Sequence, residues 1–432
     1  MIATVVKSTL KGSITVPGSK SHTIRGVLLS TMAKGTSIIH NPLASDDCLS
    51  SVEAARAFGA QVQMDTTKWI ITGVDGKLSV PQNYIDTKNS GTTTSLIMGM
   101  ASLLDGLTII TGDEQIRRRP IADLADGLRQ LGARITFTQR GKTSPPVIVE
   151  GPVTGGLTRL SGFNSQFVSS ILLSSPLAKE DTLILVDDPL EKPYLQMSLS
   201  WIKRYGGIVR HTPDLKRFEI KGHQHYTAVE STIPSDWSGV AFPLVAAVTT
   251  HSDVTITGLD FDDPQGDKVV LDLLIQMGAS ITVNKEMGSI HVIGGTKLKG
   301  GSLIDLQDIP DSFPALAIAA SYADGPTTFV GIGPVKVKET NRIAVMKTLL
   351  AKVGCPVDET EDSVTIHGGA PLVGCSVDSY GDHRIAMAMT VCGLFCEGKM
   401  EIAHAECASV SFPGFYQLMK QLGAQCQMKE EV

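Results

Sequence analysis

The sequence is poor in charge, in paired cysteine motifs and in long apolar runs, and each shortage removes a class of function. Asp, Glu, Lys and Arg make up only 19% of the 432 residues, against a usual ~25%. With 42% hydrophobic residues, the chain is neither disordered nor a polyelectrolyte. There is no basic excess: 38 Lys and Arg against 44 Asp and Glu give a net charge of −6. That excludes the basic face a nucleic-acid partner needs. The seven cysteines are odd in number and form no CxxC pair, and the ten histidines form no HExxH. Neither a disulfide framework nor a zinc site is expected, and no metal. No apolar run approaches the ~18 residues that would span a bilayer. The best stretch, Val240 to Val248, is short and carries Pro243. Met1 to Leu10 has no apolar h-region, so no signal peptide and no membrane partner are expected. What remains is a soluble, reducing-compartment globular protein, long enough for two or three domains.

What the sequence has is a repeat. A helix end, a Gly, a small residue and a strand recur as AFGAQV at Gly59, QLGARI at Gly132, RYGGIV at Gly206, QMGASI at Gly278, KVGCPV at Gly354 and QLGAQC at Gly423. The gaps are 73, 74, 72, 76 and 69 residues, and six units of 72 make 432. A Gly at that place supplies the left-handed residue that ends a helix. The segments before it are amphipathic, as in Ile121–Leu131 and Lys268–Met277. A second series interleaves with the first. Near Ser21, Ser90, Ser165, Trp237, Ser312 and His383 a polar cluster opens a helix of small and apolar residues. Each is followed by a β-rich run: TSIIH, LTIITG, TLILV, VTITG, TTFVG and MEIAH. Helices apolar nearly all round are expected to be buried. Six such units exceed one core, so they should divide as three and three, with the break near His225–Thr232.

The polar clusters fall where helices begin, and a helix start carries about half a positive charge and free N–H groups. Three buried helices pointing one way in each domain would focus attraction on an anion, and two such domains would enclose it. The starts read Pro17-Gly18-Ser19-Lys20-Ser21-His22-Thr23-Ile24-Arg25, Asn89-Ser90-Gly91-Thr92-Thr93, Asn164-Ser165-Gln166, Ser235-Asp236-Trp237-Ser238, Ile309-Pro310-Asp311-Ser312 and Gly381-Asp382-His383-Arg384. The first is not a Walker loop, because Ser19 stands where that motif requires Gly. Connecting loops add Arg117-Arg118-Arg119-Pro120 and Lys336-Val337-Lys338-Glu339-Thr340-Asn341-Arg342. Taken singly, Ser, Asn and Asp here are ordinary caps, and Asp236 and Asp382 read as caps rather than reacting groups. His22 and His383 read as satisfied partners, Cys392 and Cys396 as core, and the arginine run as a solvated loop. The shared phase lifts the set above its parts: Lys20, Arg25, Arg119, Lys338, Arg342 and Arg384 all lie at or near the starts of repeated units.

In this order and spacing PGSKS…R, NSGT, RRRP, NSQF, IPD, KVKETNR and GDHRIAM, from about Lys11 to Leu418, resemble the 3-phosphoshikimate 1-carboxyvinyltransferase (EPSP synthase) family. The resemblance implies an α/β (α+β) fold of enolpyruvyl-transferase type: two domains, each three βαβαββ units around buried parallel helices, an inside-out α/β barrel. It implies domains of residues 18–229 and of 1–17 with 230–432, and an active site in the cleft between them. The implied reaction moves the enolpyruvyl group of phosphoenolpyruvate to the 5-hydroxyl of shikimate 3-phosphate and releases phosphate, with no cofactor, in a cytoplasmic monomer. Carried over residue by residue, Asp311, Glu339 and Lys20 are the catalytic set. Asp311 would take the hydroxyl proton and Glu339, with a raised pKa, would protonate the methylene carbon. Lys20, Ser21, Arg25, Asn164, Ser165, Gln166, Asp311 and Lys338 would hold shikimate 3-phosphate. Lys20, Asn89, Gly91, Arg119, Gln166, Arg342 and Arg384 would hold phosphoenolpyruvate.

The chain departs from the family's pattern at several positions. Asn164 stands for a usual Ser, Ser95 for an Arg, Val410-Ser411 for a Lys-bearing pair before Phe412-Pro413, Asn341 for an Asp, and Glu191 for the Ser of the SKPY or SRPY motif. Asn164 is expected to serve as a hydrogen-bond donor. Glu191 beside a substrate phosphate would repel it unless a cation such as Lys192 compensates. Two readings therefore stand beside the main one: enolpyruvyl transfer to another anionic acceptor, and a non-catalytic anion-binding relative. The sugar-nucleotide transferase of cell-wall synthesis fits less well, because PGSKS replaces that family's Lys-Asn pair.

Overall fold

In the computed structural model, which describes residues 1–430, the six repeat glycines have φ angles between 85° and 104°. These are left-handed values that side chains with a Cβ rarely adopt, so each glycine ends its helix as the spacing predicts. Twelve α-helices occur among the described residues: α1 Lys20–Met32, α2 Asp46–Ala57, α3 Gly91–Ala101, α4 Ala122–Gln130, α5 Ser165–Ser174, α6 Lys192–Arg204, α7 Trp237–Thr249, α8 Val269–Gln276, α9 Phe313–Tyr322, α10 Arg342–Lys352, α11 His383–Gly393 and α12 Phe415–Gln421. The odd-numbered helices are the apolar series and the even-numbered ones the amphipathic series. All thirteen residues of α7 are buried, Pro243 included. None of the helices is long and apolar enough to cross a membrane.

One reading shifts slightly. A 3-10 turn over Pro310–Ser312 delays the start of α9 to Phe313. Cys392 and Cys396 are buried as core, their Sγ atoms 3.4 Å apart.

Among the described residues six four-stranded sheets accompany the helices, with the same strand order. Gly156–Leu160 runs parallel to Thr182–Val186 across the α5 connection. Thr182–Val186 then pairs antiparallel with Arg217–Ile220, whose other edge takes Val209–His211. The parallel step requires a crossover and the antiparallel step needs only a hairpin, which reproduces βαβαββ. Three sheets borrow a strand from elsewhere in the chain. Leu10–Thr15 pairs with Ser252–Thr257, Ile2–Val6 inserts between Lys399–Ala403 and Cys426–Lys429, and Glu230–Thr232 pairs with Thr36–His40.

The chain divides into two units, Gly18–Ile233 and Met1–Pro17 with Pro234–Val432. Each has its own apolar core, one running from Ile24 to Ile233 and the other from Ala3 to Cys426. The break expected at residue 230 therefore moves to Ile233–Pro234. Glu230–Thr232 extends a sheet of the first unit, and the amide of Ile233 still bonds to His40. A short polar strand of this kind carries no periodicity that could have shown where it belongs.

Within each unit the buried helices start together. In Gly18–Ile233, Gln166 near the start of α5 reaches Thr92 and Ser95 on α3, and one turn on Ser170 bonds both Ser95 and Gly99. Contacts that advance together along both helices mean parallel axes. At Gly99 the two helices approach tightly: a Cβ there would lie 2.4 Å from the carbonyl of Ser170.

Candidate functional site

The sequence-predicted residues fall into two clusters, one in each unit. In Gly18–Ile233 they gather at the starts of α1, α3 and α5. Lys20, the first residue of α1, bonds Asp47 at 2.8 Å, and the hydroxyl of Thr93 donates to the carbonyl of Asp47. One residue thus ties the first turn of α2 to α1 and α3. Ser21 follows Lys20 and is half-buried. Arg25, one turn further along, is buried, and its guanidinium donates to Ser198 Oγ at 2.8 Å and to the carbonyl of Ser21 at 3.1 Å. Burial lowers its pKa to about 10, and Tyr194 and Glu191 pull it back up.

Ser90 caps α3 by accepting from the amide of Thr93. Asn89 donates to Asp113 at 2.6 Å. Gly91 opens the helix, and a Cβ on it would meet a guanidinium nitrogen of Arg119 at 2.7 Å and Gln166 Oε1 at 3.8 Å. Gly91, Arg119 and Gln166 therefore share one spot, and the glycine makes room for the arginine. The rest of the arginine run turns elsewhere: Arg117 bonds the carbonyl of Gly112 and Arg118 pairs with Glu114. Ser95, in place of an Arg, is buried and donates to Gln166.

At α5 Asn164 is the helix cap, its side-chain oxygen accepting from the amide of Gln166 at 2.9 Å; the donor role expected of it belongs to its amide nitrogen. Ser165 directs both its amide (3.2 Å) and its hydroxyl (2.7 Å) at one carboxylate oxygen of Glu191. Glu191 is only 4% exposed and sits at φ 51°.

In the other unit the starts of α9, α10 and α11 meet on Asp311, and that of α7 joins them through Arg384. Its two oxygens face Arg342 at 2.9 Å, Arg384 at 3.2 Å and Lys338 at 3.6 Å. Burial alone would raise this carboxyl's pKa, but Arg384, Lys338 and Arg342 together hold it well below the usual carboxylate range, against the opposing charge of Glu339. Arg342 is fully buried and also binds Glu339 and, through two nitrogens, Asp382 at 2.9 and 3.2 Å. Burial disfavours its charge, but Asp382, Glu339 and Asp311 outweigh that and raise its pKa. Asp382 is the cap that sequence reasoning expects: it accepts from the amide of Arg384 at 2.9 Å. It also holds Arg342 and accepts from Thr340, a double duty its sequence position does not announce. Arg384 reaches back to Ser238 Oγ, and Asp236 caps α7 through Ser238 and Gly239. Asn341 caps α10 as an Asp would. Among the described residues no group of three or more His, Cys, Asp and Glu could hold a metal ion.

Asp47 escaped sequence reasoning, and Ser238 and Thr340 were read only as members of their polar clusters. Each acts by gripping a predicted residue across tens of positions or more, so local pattern carries no trace of that contact. The chemistry assembled is anion recognition, by fixed guanidinium forks, lysines and helix starts, with one carboxylate set among three cations.

The model of the EPSP synthase (3-phosphoshikimate 1-carboxyvinyltransferase) family matches residues 6–419. A 3-phosphoshikimate 1-carboxyvinyltransferase of Ruminiclostridium cellulolyticum is 42% identical, covering 99% of this chain and 100% of that protein. One of Methanocella arvoryzae is 40% identical with the same coverage. Among solved structures, EPSP synthase of Acinetobacter baumannii superposes with a TM-score of 0.84 at 30% identity, over 99% of this chain and 100% of that one. The enolpyruvyl transferase NikO of Streptomyces tendae shares the fold, with a TM-score of 0.81 at 17% identity over 100% and 99% of the two chains.

Proposed function

Because the chain belongs to the EPSP synthase (3-phosphoshikimate 1-carboxyvinyltransferase) family, we propose that it transfers the enolpyruvyl group of phosphoenolpyruvate to the 5-hydroxyl of shikimate 3-phosphate and releases phosphate. The observation that carries this reading is the setting of Asp311, a carboxylate held by Arg342, Arg384 and Lys338 where helix starts meet. Two phosphates and two carboxylates bring about five to six negative charges at neutral pH. Lys20, Arg25, Arg119, Lys338, Arg342 and Arg384 supply the counter-charge, fixed in advance by Asp47, Ser198, Asp382 and Ser238.

In this reading Lys20, Asn89, Gly91, Arg119, Gln166, Arg342 and Arg384 grip phosphoenolpyruvate. Lys20, Ser21, Arg25, Asn164, Ser165, Gln166, Asp311 and Lys338 hold the acceptor. Phosphoenolpyruvate draws Arg342 and Arg384 towards its own anions, which loosens their hold on Asp311 and raises its proton affinity. Asp311 then takes the proton of the acceptor hydroxyl as that oxygen bonds to C2 of phosphoenolpyruvate. Glu339, as the acid, delivers a proton to C3. In the elimination Glu339 takes a proton back from the methyl group as the bond between C2 and the phosphate oxygen breaks, and Asp311 returns its proton to the departing phosphate, which leaves the enol ether, while Lys20 steadies the charge on both substrates. No cofactor enters these steps. The enzyme acts as a monomer in the cytoplasm, a compartment that suits its seven free cysteines.

The test is phosphate release with both substrates, the product identified by its mass. Asp311→Ala should bind both anions yet lower kcat by orders of magnitude. Measurable binding with no phosphate above background would overturn the reading. A second reading, transfer to a different acceptor, draws on Glu191 and Asn164, and the choice of acceptor alcohol in the same assay decides it.

A further inference from the structure

Glu191 is placed unlike any other carboxylate near the predicted site. It immediately precedes α6, yet its side chain makes no cap bond to that helix. It crosses instead to α5, where one oxygen accepts from both the amide and the hydroxyl of Ser165. Its backbone is pinned in the left-handed region at φ 51°, where a residue with a Cβ is strained. Leu190 donates to the carbonyl of Gly162, and the carbonyl of Glu191 accepts from Tyr194, which fixes the loop on both sides. The next donor of α5, the amide of Gln166, is already taken by Asn164. Glu191 is thus a buried, charged acceptor seated on the amide–hydroxyl pair at a positive helix end, the arrangement that suits a phosphate oxygen. The adjacent Lys192 is solvent-exposed, whereas Arg25, which feels the charge of Glu191, is buried among Ser198, Ser21 and Tyr194.

We infer that Glu191 is an internal anion that competes with the acceptor's phosphate for Ser165, and so sets how tightly this enzyme holds a phosphorylated acceptor. The inference rests on the reading that Ser165 receives that phosphate. One amide and one hydroxyl cannot serve a carboxylate and a phosphate dianion together, because the two repel and the donors are already spent. The acceptor must therefore displace the carboxylate from Ser165 before it seats. Glu191 does not touch the reacting carbons, so it acts on acceptor affinity and leaves the chemical step alone.

The experiment compares full-length wild type with Glu191→Gln and Glu191→Ser in steady-state kinetics. The Gln variant keeps size and shape, and guards against a Ser variant that folds poorly; melting curves are recorded for both. Removing the charge should lower KM for shikimate 3-phosphate by about tenfold or more, as expected when a charged competitor for two hydrogen bonds is lost. KM for phosphoenolpyruvate should stay within about twofold and kcat should change little, the split expected when only binding is affected. Shikimate without its phosphate should show no such gain. An unchanged or higher KM for shikimate 3-phosphate in folded Glu191→Gln overturns the inference, because the carboxylate would then be a neutral or helpful part of the site. If no protein turns over shikimate 3-phosphate, the proposed activity fails, and inorganic phosphate binding followed by calorimetry decides the present point separately. Tighter phosphate binding by Glu191→Gln than by wild type supports it, and equal or weaker binding refutes it.

Discussion

Asp382 carries two loads, and substitution can separate them. Asp382→Asn keeps the shape of the side chain and an oxygen to cap α11, but removes the charge facing Arg342, with which it forms a pair showing no exposure on either side. Breaking a buried pair by removing one partner costs about 3–5 kcal/mol when the remaining charge is left bare. Arg342 is not left bare, because Asp311 and Glu339 still neutralise it. The expected loss is therefore smaller, about 2 kcal/mol. Asp382→Ala also removes the cap bond to the amide of Arg384, worth about 1 kcal/mol more. For a domain of this size each kcal/mol moves Tm by roughly 2–4 °C. Calorimetry should then show drops of about 4–8 °C for Asn and about 6–12 °C for Ala in the transition of the unit that contains Asp382. A double-mutant cycle with Arg342→Met should return a coupling of about 1–3 kcal/mol. If Asn melts within about 1 °C of wild type, or Asn and Ala melt together, the division of labour argued here is wrong.

Three further outcomes follow from the geometry. The lowered pKa of Asp311 means that its ionised form stabilises the fold. That contribution is complete above the unfolded-state value of about 3.9 and fades as pH falls towards the lowered folded value. The Tm difference between wild type and Asp311→Asn should be flat from about pH 5 to 8 and shrink below about pH 4, and a difference that widens on acidification would contradict the three-cation setting. Gly99→Ala places a methyl 2.4 Å from the carbonyl of Ser170 and should destabilise by about 1–3 kcal/mol; an unchanged melting curve would mean that α3 and α5 are not in tight contact. Burial pushes the thiols of Cys355 up to about 11 and Cys407 up to about 12, so at pH 8 both should react slowly with a thiol reagent in the folded protein. All seven should titrate in denaturant, and fast labelling of either in the native state would refute the burial argument.

The repeat was legible because it rests on local chemistry. A helix needs a left-handed residue to end it and a polar one to begin it, and both marks recur with every unit. Strands borrowed across the chain were harder to read. Nothing in Glu230–Thr232 tells it to join Thr36–His40, because pairing partners are set by closure of the sheet. The cationic residues were visible by their phase, and family motifs supplied their roles. What the motifs did not supply was the support behind them: Asp47 under Lys20, Ser238 behind Arg384, Asp382 behind Arg342. Those contacts span 27, 146 and 40 positions and leave no local signature. Asn164 illustrates the limit in another way, since only its neighbour's N–H fixes the side-chain oxygen as the cap of α5.

The strand Ile2–Val6 completes its sheet only by pairing with Lys399–Ala403 and Cys426–Lys429. The strand is therefore made long before its partners and is among the last segments to find its place. At roughly 5–20 residues per second it waits for tens of seconds, while everything between Gly18 and Ile233 is already complete. That intervening stretch begins and ends side by side, since a Cβ on Gly18 would lie 3.1 Å from the side chain of Ile233. It is thus a closed module inserted into an open one, and a messenger truncated after Ile233 should still yield a folded, protease-resistant product. The same truncation leaves Met1–Pro17 an orphaned arm.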